Sequence, residues 1–112
     1  MRVVIDKNVD VPMGDGVILR ADVYRPSDNG QYPVLVQRTP YNKEMWLITA
    51  ATLDPIRAAA AGFAVVIQDV RSRWASEGDV FFPYRDEEPD CADAIDWAAQ
   101  QAWSAGVVGC YG

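Results

Sequence analysis

The stretch FAVVI, from Phe63 to Ile67, decides the fold of this chain. Five consecutive apolar residues are typical of a strand buried on both faces of a sheet, and such strands belong to parallel sheets covered by helices. A helix is predicted directly before this strand, within Met45–Ala61, in one piece or two. Asp54 is a typical N-cap, Pro55 suits the first helical position, and Gly62 suits the end of a helix. The pattern therefore predicts a helix followed by a buried strand.

Two further apolar runs, one on each side of this unit, predict two more buried strands. Upstream, Val34–Val36 is a short continuous apolar run. Downstream, the stretch GVVGCYG from Gly106 to Gly112 is apolar and punctuated by glycine. Its residues that suit a short buried strand are Val107, Val108, Cys110 and Tyr111.

A second helix is predicted between FAVVI and GVVGCYG. The acidic run Asp86–Asp90 favours a first helical turn, because carboxylates complement the positive end of the helix dipole and proline belongs there. The residues that follow at helical spacing and give one apolar face are Cys91, Ala94, Ile95 and Ala98.

The first part of the chain predicts an antiparallel hairpin. Polar and apolar residues alternate over Val3–Val11 and again over Val17–Tyr24, with the glycine-rich turn Met13–Gly16 between them. Three buried strands separated by helices predict parallel pairing through right-handed crossovers. The predicted fold class is therefore α/β, with a mostly parallel sheet and the leading hairpin as an antiparallel edge.

This architecture predicts where a ligand would bind. In open α/β sheets, ligands gather outside the carboxyl ends of the strands. Three segments should share that edge, namely Arg38–Lys43, the loop Asp69–Pro83 and whatever follows Gly112.

Composition excludes several classes of protein. The 112 residues are 50% hydrophobic, with a net charge of -6, which indicates globular material and argues against a nucleic-acid surface. No apolar run approaches the roughly 20 residues of a membrane helix, and we expect a cytoplasmic protein.

The chain has no histidine, and Cys91 and Cys110 lack zinc-site spacing, so we expect buried free thiols and no metal. Composition leaves the oligomeric state open.

Tyr41 is the candidate catalytic residue on the predicted ligand edge. A tyrosine hydroxyl placed just after a buried strand could donate a hydrogen bond to an oxyanion that develops in a transition state. The alternative is a loop tyrosine with a packed ring and a solvated hydroxyl, and spacing by itself favours this alternative.

Other polar residues near this edge have simpler explanations. Asp69, Arg71 and Arg73 follow a strand, where such residues most often hold a loop by charge-assisted hydrogen bonds. Ser76 lies in the middle of a loop without a preceding glycine at the elbow spacing, which favours a turn serine over a nucleophile. Trp74 is the tryptophan whose loop faces the predicted site.

The residues of GVVGCYG leave two chemistries open. Gly112 could be the first glycine of a nucleophile elbow, in which a serine follows two positions later. Gly106, Gly109 and Gly112, spaced by three, could instead begin the phosphate loop of a nucleotide-binding α/β domain. A third alternative is a non-catalytic fragment that binds a partner protein.

A family resemblance favours the first chemistry. The runs Val11–Leu19 and Asp22–Pro26 resemble the opening hairpin of the cocaine esterase and Xaa-Pro dipeptidyl-peptidase (CocE/NonD) group of α/β-hydrolases, and Arg38–Lys43 resembles that group's loop after the third strand. The similarity continues in the right order through Gln68–Arg71, Ala75–Gly78, Trp97–Gln101, Trp103-Ser104 and Val107–Gly112. Residues 1–112 would then be the incomplete N-terminal portion of a single catalytic domain.

The resemblance implies a serine hydrolase that acts on a small-molecule ester, amide or peptide through a Ser-His-Asp triad and an acyl-enzyme, without a cofactor. In that family the nucleophilic serine follows the motif ending at Gly112 by two positions, and the catalytic Asp and His come much later. A tyrosine hydroxyl corresponding to Tyr41 stabilises the oxyanion, together with the backbone N–H after the serine. By itself, the 112-residue chain is expected to be inactive.

One departure from the family pattern affects the loop near Trp74. The family commonly has Arg-Gly after the strand aspartate, whereas this chain has Arg71-Ser72. Glycine adopts a positive φ without strain and serine does not, so the loop shape cannot be carried over directly.

Overall fold

The computed structural model describes residues 2–45, 53–78 and 87–111. Within these ranges the chain forms five strands and two helices. In chain order they are β1 (Val3–Pro12), β2 (Ile18–Pro26), β3 (Tyr32–Thr39), α1 (Pro55–Ala60), β4 (Ala64–Asp69), α2 (Glu87–Ala99) and β5 (Ser104–Cys110). This order confirms the predicted α/β class.

The five strands form one mixed sheet in the order β1-β2-β4-β3-β5. Strand β2 is antiparallel to both β1 and β4. Strand β3 lies between β4 and β5 and is parallel to both. The three apolar runs are therefore the parallel strands, and the hairpin forms the antiparallel edge, as predicted.

The hairpin turn follows from its glycines. Met13 and Val17 close the turn through a hydrogen bond of 2.9 Å from the Met13 N–H to the Val17 carbonyl. Gly16 has a φ of +88°, a conformation that costs glycine little. Farther along β1 the register shifts between Asp6 and Val9, which marks a β-bulge.

The short helix α1 begins and ends as the sequence predicts. The Asp54 side chain accepts hydrogen bonds from the backbone N–H groups of Ile56 and Arg57, and Pro55 occupies the first turn. Gly62, just after the helix, has a φ of +100°. The predicted helical segment Met45–Ala61 is thus confirmed only over its last part, because residues 46–52 lie outside the described residues.

The two helices cover opposite faces of the sheet. On one face, α1 packs against the outward side chains of β4, Val65 and Ile67. On the other face, Ala98 of α2 joins a core cluster that includes Val36 and Val66. Ala64 and Val66 lie in one cluster and Val65 and Ile67 in the other, so β4 is buried on both sides as predicted, except that Phe63 precedes the strand and is 36% exposed. No helix in the described ranges is long and apolar enough to cross a membrane.

The predicted burial is wrong for Val107 and for both cysteines, whereas Val108 and Tyr111 are partly buried against the two core clusters. Strand β5 pairs with β3 on one side, and in the described chain no strand pairs with its other side. Val107 is 66% exposed, and Cys110 is exposed as well. Cys91 is half-buried on α2, and both thiols are free.

Candidate active site

The carboxyl ends of β3, β4 and β5 meet at one edge of the sheet. Thr39 at the end of β3 pairs with Asp69 at the end of β4, and Val36 pairs with Cys110. The pairing of β3 with β5 continues past the last strand, since the Tyr111 N–H donates to the Val36 carbonyl at 3.0 Å. The predicted convergence is confirmed for the two loops after β3 and β4 within the described residues, whereas residues 79–83 and the segment after Gly112 lie outside them.

The loop after β3 presents Tyr41 at this edge. The Tyr41 N–H donates to Thr39 Oγ1 at 3.0 Å, and the Trp74 indole Nε1 donates to the Pro40 carbonyl at 2.9 Å. The Lys43 N–H donates to Asp69 Oδ1 at 2.8 Å. The backbone of the loop is therefore held by its neighbours, whereas Tyr41 itself is 63% exposed. Its role as an oxyanion donor stays a prediction.

A buried charge cluster lies beneath this loop, and sequence reasoning missed it. Lys43 is only 1% exposed, and its Nζ lies 3.3 Å from Asp22 Oδ1 and 3.8 Å from Asp69 Oδ2. The same ammonium group donates to the side-chain oxygen of Asn8. Lys7 reaches Asp22 from the surface, at 2.8 Å. The available signal was Asp22 itself, a carboxylate among apolar residues of a predicted strand.

Asp69 joins the two loops that flank the site. One carboxylate oxygen accepts from the Lys43 N–H, and the other accepts from the Ala75 N–H at 3.3 Å. Burial raises the pKa of Asp69, while these two hydrogen bonds and the charge of Lys43 oppose the rise and the charge of Asp22 adds to it. Its predicted role of holding a loop is confirmed, but through partners that the sequence did not suggest.

Arg71 and Arg73 also have structural roles. Arg71 forms two hydrogen bonds of 2.8 Å to the buried carboxylate of Asp90 on α2 and a salt bridge of 3.0 Å to Asp15 in the hairpin turn. Arg73 lies over the ring of Trp74, 5.0 Å from its centroid. Arg71 thus holds the loop after β4 against α2 and the hairpin turn, whereas Arg73 contacts its neighbour within the loop.

Ser76 is a turn residue, as predicted. Its hydroxyl donates to the Asp69 carbonyl at 2.6 Å and accepts from the Arg20 N–H at 2.8 Å. A hydroxyl engaged in this way ties the loop to β2 and β4 and is not available as a nucleophile.

Ser72 adopts the backbone conformation that the family's glycine would favour. Its φ is +65°, a region that costs an ordinary residue about 1 kcal/mol or more. The turn is closed by the Ser72 N–H, which donates to the Glu77 carbonyl at 2.9 Å. Its hydroxyl oxygen is buried and has no hydrogen-bond partner among the described residues. Position 72 therefore has a backbone conformation that suits glycine, and the serine found there adopts it at a cost in strain.

Replacing Ser72 by glycine is expected to stabilise the protein by about 1 kcal/mol, because it removes the positive-φ strain. The control is Ser72→Ala, which removes the unpaired hydroxyl but keeps the strained Cβ. The free energy of unfolding of both variants is measured by urea denaturation of the full-length protein. Equal stabilities of the two variants would contradict the strain argument.

The order of the strands and the helices on both faces of the sheet are those of the N-terminal part of an α/β-hydrolase. A CocE/NonD family hydrolase from Staphylococcus aureus superimposes with a TM-score of 0.87 at 27% identity, over 100% of this chain and 23% of that chain. An aminopeptidase from a marine sediment Thaumarchaeota archaeon superimposes with a TM-score of 0.79 at 26% identity, over 98% of this chain and 21% of the other.

The chain belongs to the X-Pro dipeptidyl-peptidase (S15) family, whose model matches residues 15–112. It is also 43% identical over 109 residues to the cocaine esterase of Rhodococcus sp. strain MB1 Bresler, which covers 96% of this chain. The chain spans 19% of the length of that relative. The resemblance noted in the sequence is therefore confirmed at the level of the family.

Proposed function

We propose that this chain is the N-terminal portion of the catalytic domain of a serine acyl hydrolase and that it supplies one oxyanion donor, Tyr41. The observation that carries the proposal is the exposure of Tyr41 on a fixed loop at the edge where β3, β4 and β5 end. Donors held rigidly where negative charge develops contribute more to catalysis than mobile ones, because they need no reorganisation.

In the proposed mechanism the nucleophilic serine lies two positions after Gly112. A histidine from a later part of the protein removes the serine proton as the hydroxyl attacks the substrate carbonyl, and an aspartate orients that histidine. The Tyr41 hydroxyl and the backbone N–H after the serine donate to the resulting oxyanion. The histidine returns the proton to the leaving oxygen or nitrogen as the intermediate collapses to an acyl-enzyme and the alcohol or amine departs. Water, deprotonated by the same histidine, then attacks the acyl-enzyme, and the serine regains its proton as the acid is released.

The proposed substrate is a small-molecule ester, amide or peptide. Two names support this range. The relative from Rhodococcus is named an esterase, and the matching family is named for X-Pro dipeptidyl-peptidases. Both reactions transfer an acyl group, so a single oxyanion donor serves either.

The family assignment favours a hydrolase over a nucleotide-binding domain. The glycines of GVVGCYG are compatible with either function, whereas the family match covers the hairpin turn, both loops and the last strand together. The interpretation as a non-catalytic partner-binding fragment remains an alternative. It predicts that the full-length protein carries no reactive serine.

A fluorophosphonate probe tests the proposed nucleophile. In the full-length protein, we expect the probe to modify the serine two positions after Gly112, as located by mass spectrometry of the labelled peptide. The chain of residues 1–112 contains no histidine to activate a hydroxyl, so it should be neither labelled nor active on nitrophenyl esters. Labelling within residues 1–112, or the absence of labelling in the full-length protein, would contradict the proposal.

A further inference from the structure

The peptide unit that connects Pro40 to Tyr41 is held at both of its polar ends. Its carbonyl oxygen accepts from the Trp74 indole N–H at 2.9 Å, and its N–H donates to Thr39 Oγ1 at 3.0 Å. These two groups point in opposite directions from a planar unit, so fixing both prevents the plane from turning about the chain axis. Because the Tyr41 Cα lies in this plane, the position of that Cα and the direction of the N–Cα bond from which the side chain departs are thereby fixed as well.

Burial does not explain why Trp74 occupies its position. The side chain is 55% exposed, and its backbone has a φ of +53°, which is rare for a large residue. Arg73 lies over the ring, and the next residue, Ala75, donates its N–H to Asp69 Oδ2. An exposed ring that is kept in a strained conformation by its neighbours indicates a functional constraint. The contact that this conformation produces is the hydrogen bond to Pro40.

We propose that Trp74 is a positioning residue that aims the Tyr41 hydroxyl at the reacting carbonyl. The inference rests on the proposed function, since it assigns Trp74 a role only through Tyr41. The indole acts by fixing the Pro40 carbonyl, and it neither exchanges a proton nor touches the substrate. Loss of the indole N–H leaves the peptide plane held at one end, and Tyr41 then samples directions in which its hydroxyl misses the oxyanion.

The test is Trp74→Phe in the full-length protein, which keeps an aromatic ring under Arg73 and removes the indole N–H. With a nitrophenyl ester, we expect kcat to fall about tenfold while KM stays unchanged, because the lost interaction serves the transition state and not substrate binding. Rates are divided by the concentration of active sites, titrated with a fluorophosphonate, so that partial misfolding does not lower the apparent kcat. Trp103→Phe, the same chemical change at the opposite end of the sheet, should leave kcat unchanged.

A double-mutant cycle with Tyr41→Phe separates the two proposals. If Trp74 acts through the Tyr41 hydroxyl, Trp74→Phe should have no further effect on kcat in the Tyr41→Phe background. An equal reduction in both backgrounds would overturn the inference and leave the proposed function intact. An unchanged kcat in Trp74→Phe alone, or a rise in KM alone, would also overturn it. An unchanged kcat in Tyr41→Phe alone would overturn the proposed role of Tyr41 as oxyanion donor, whereas the proposed nucleophile is tested separately by the fluorophosphonate probe.

Discussion

Replacing Tyr41 by phenylalanine in the full-length protein is expected to lower kcat for ester hydrolysis about a hundredfold, because loss of one oxyanion donor has effects of this size. The substitution keeps the ring and removes only the hydroxyl. Since the side chain is 63% exposed and its backbone contacts do not involve the hydroxyl, we expect little change in the free energy of unfolding. Steady-state kinetics with a nitrophenyl ester measure the effect.

The matched control for this substitution is Tyr32→Phe. Tyr32 also carries a phenol hydroxyl, which donates to Asp28. Tyr32 begins β3, so it lies at the opposite end of that strand from Thr39 and the loop that carries Tyr41. Its loss should leave kcat unchanged. Similar activity of the Tyr41 and Tyr32 variants would remove Tyr41 from the mechanism.

Replacing Lys43 by methionine is expected to cost about 3–5 kcal/mol of stability, because it removes the buried partner of two buried carboxylates. Asp22 and Asp69 are each about as inaccessible as Lys43. Both carboxylates keep their backbone N–H donors, and Asp22 keeps Lys7 at the surface, but neither keeps a buried positive charge, so the variant should unfold at much lower urea concentration. Urea denaturation of the full-length protein, monitored by circular dichroism, gives the difference.

Lys7→Met is the matched control, since Lys7 binds the same carboxylate of Asp22. The Lys7 side chain is 46% exposed, and a salt bridge of this exposure contributes about 1 kcal/mol or less. The stability loss of Lys43→Met should therefore exceed that of Lys7→Met several-fold. Comparable losses would show that burial of Lys43 does not determine the strength of its interactions.

Local sequence patterns predicted the parts of the fold that depend on neighbouring residues. The residues from Ala64 to Ile67 are all apolar because both faces of their strand are covered, although Phe63 before them is exposed. Asp54, Pro55 and Gly62 mark the limits of α1 through contacts within one helical turn. The shared edge followed from parallel pairing, which places Tyr41 and Trp74 on adjacent loops without any knowledge of their contacts.

The exposure of β5 and the existence of the charge cluster were not predictable in this way, because both depend on parts of the chain that are remote in sequence. Val107 looks like a core residue in isolation, and its exposure depends on what packs against the sheet at β5. Lys43 lies in a polar loop and is buried because the register of β2 against β4 brings Asp22 next to Ile67 and hence near Asp69. No local pattern encodes that register.

The β-bulge at Asn8 has two effects: it disturbs the outer side of β1, where another molecule could pair, and it brings Asn8 into the buried charge cluster. Among the strands that the structure describes, β1 is the outermost on its side of the sheet, and such a strand offers a template for pairing with other molecules. A bulge twists this template away from an incoming strand. The same kink turns the Asn8 N–H toward Asp22 and its amide oxygen toward Lys43. The residue at position 8 must therefore both form the bulge and bind the buried charges. Asparagine can do both, because it tolerates a φ of +52° and carries an amide oxygen.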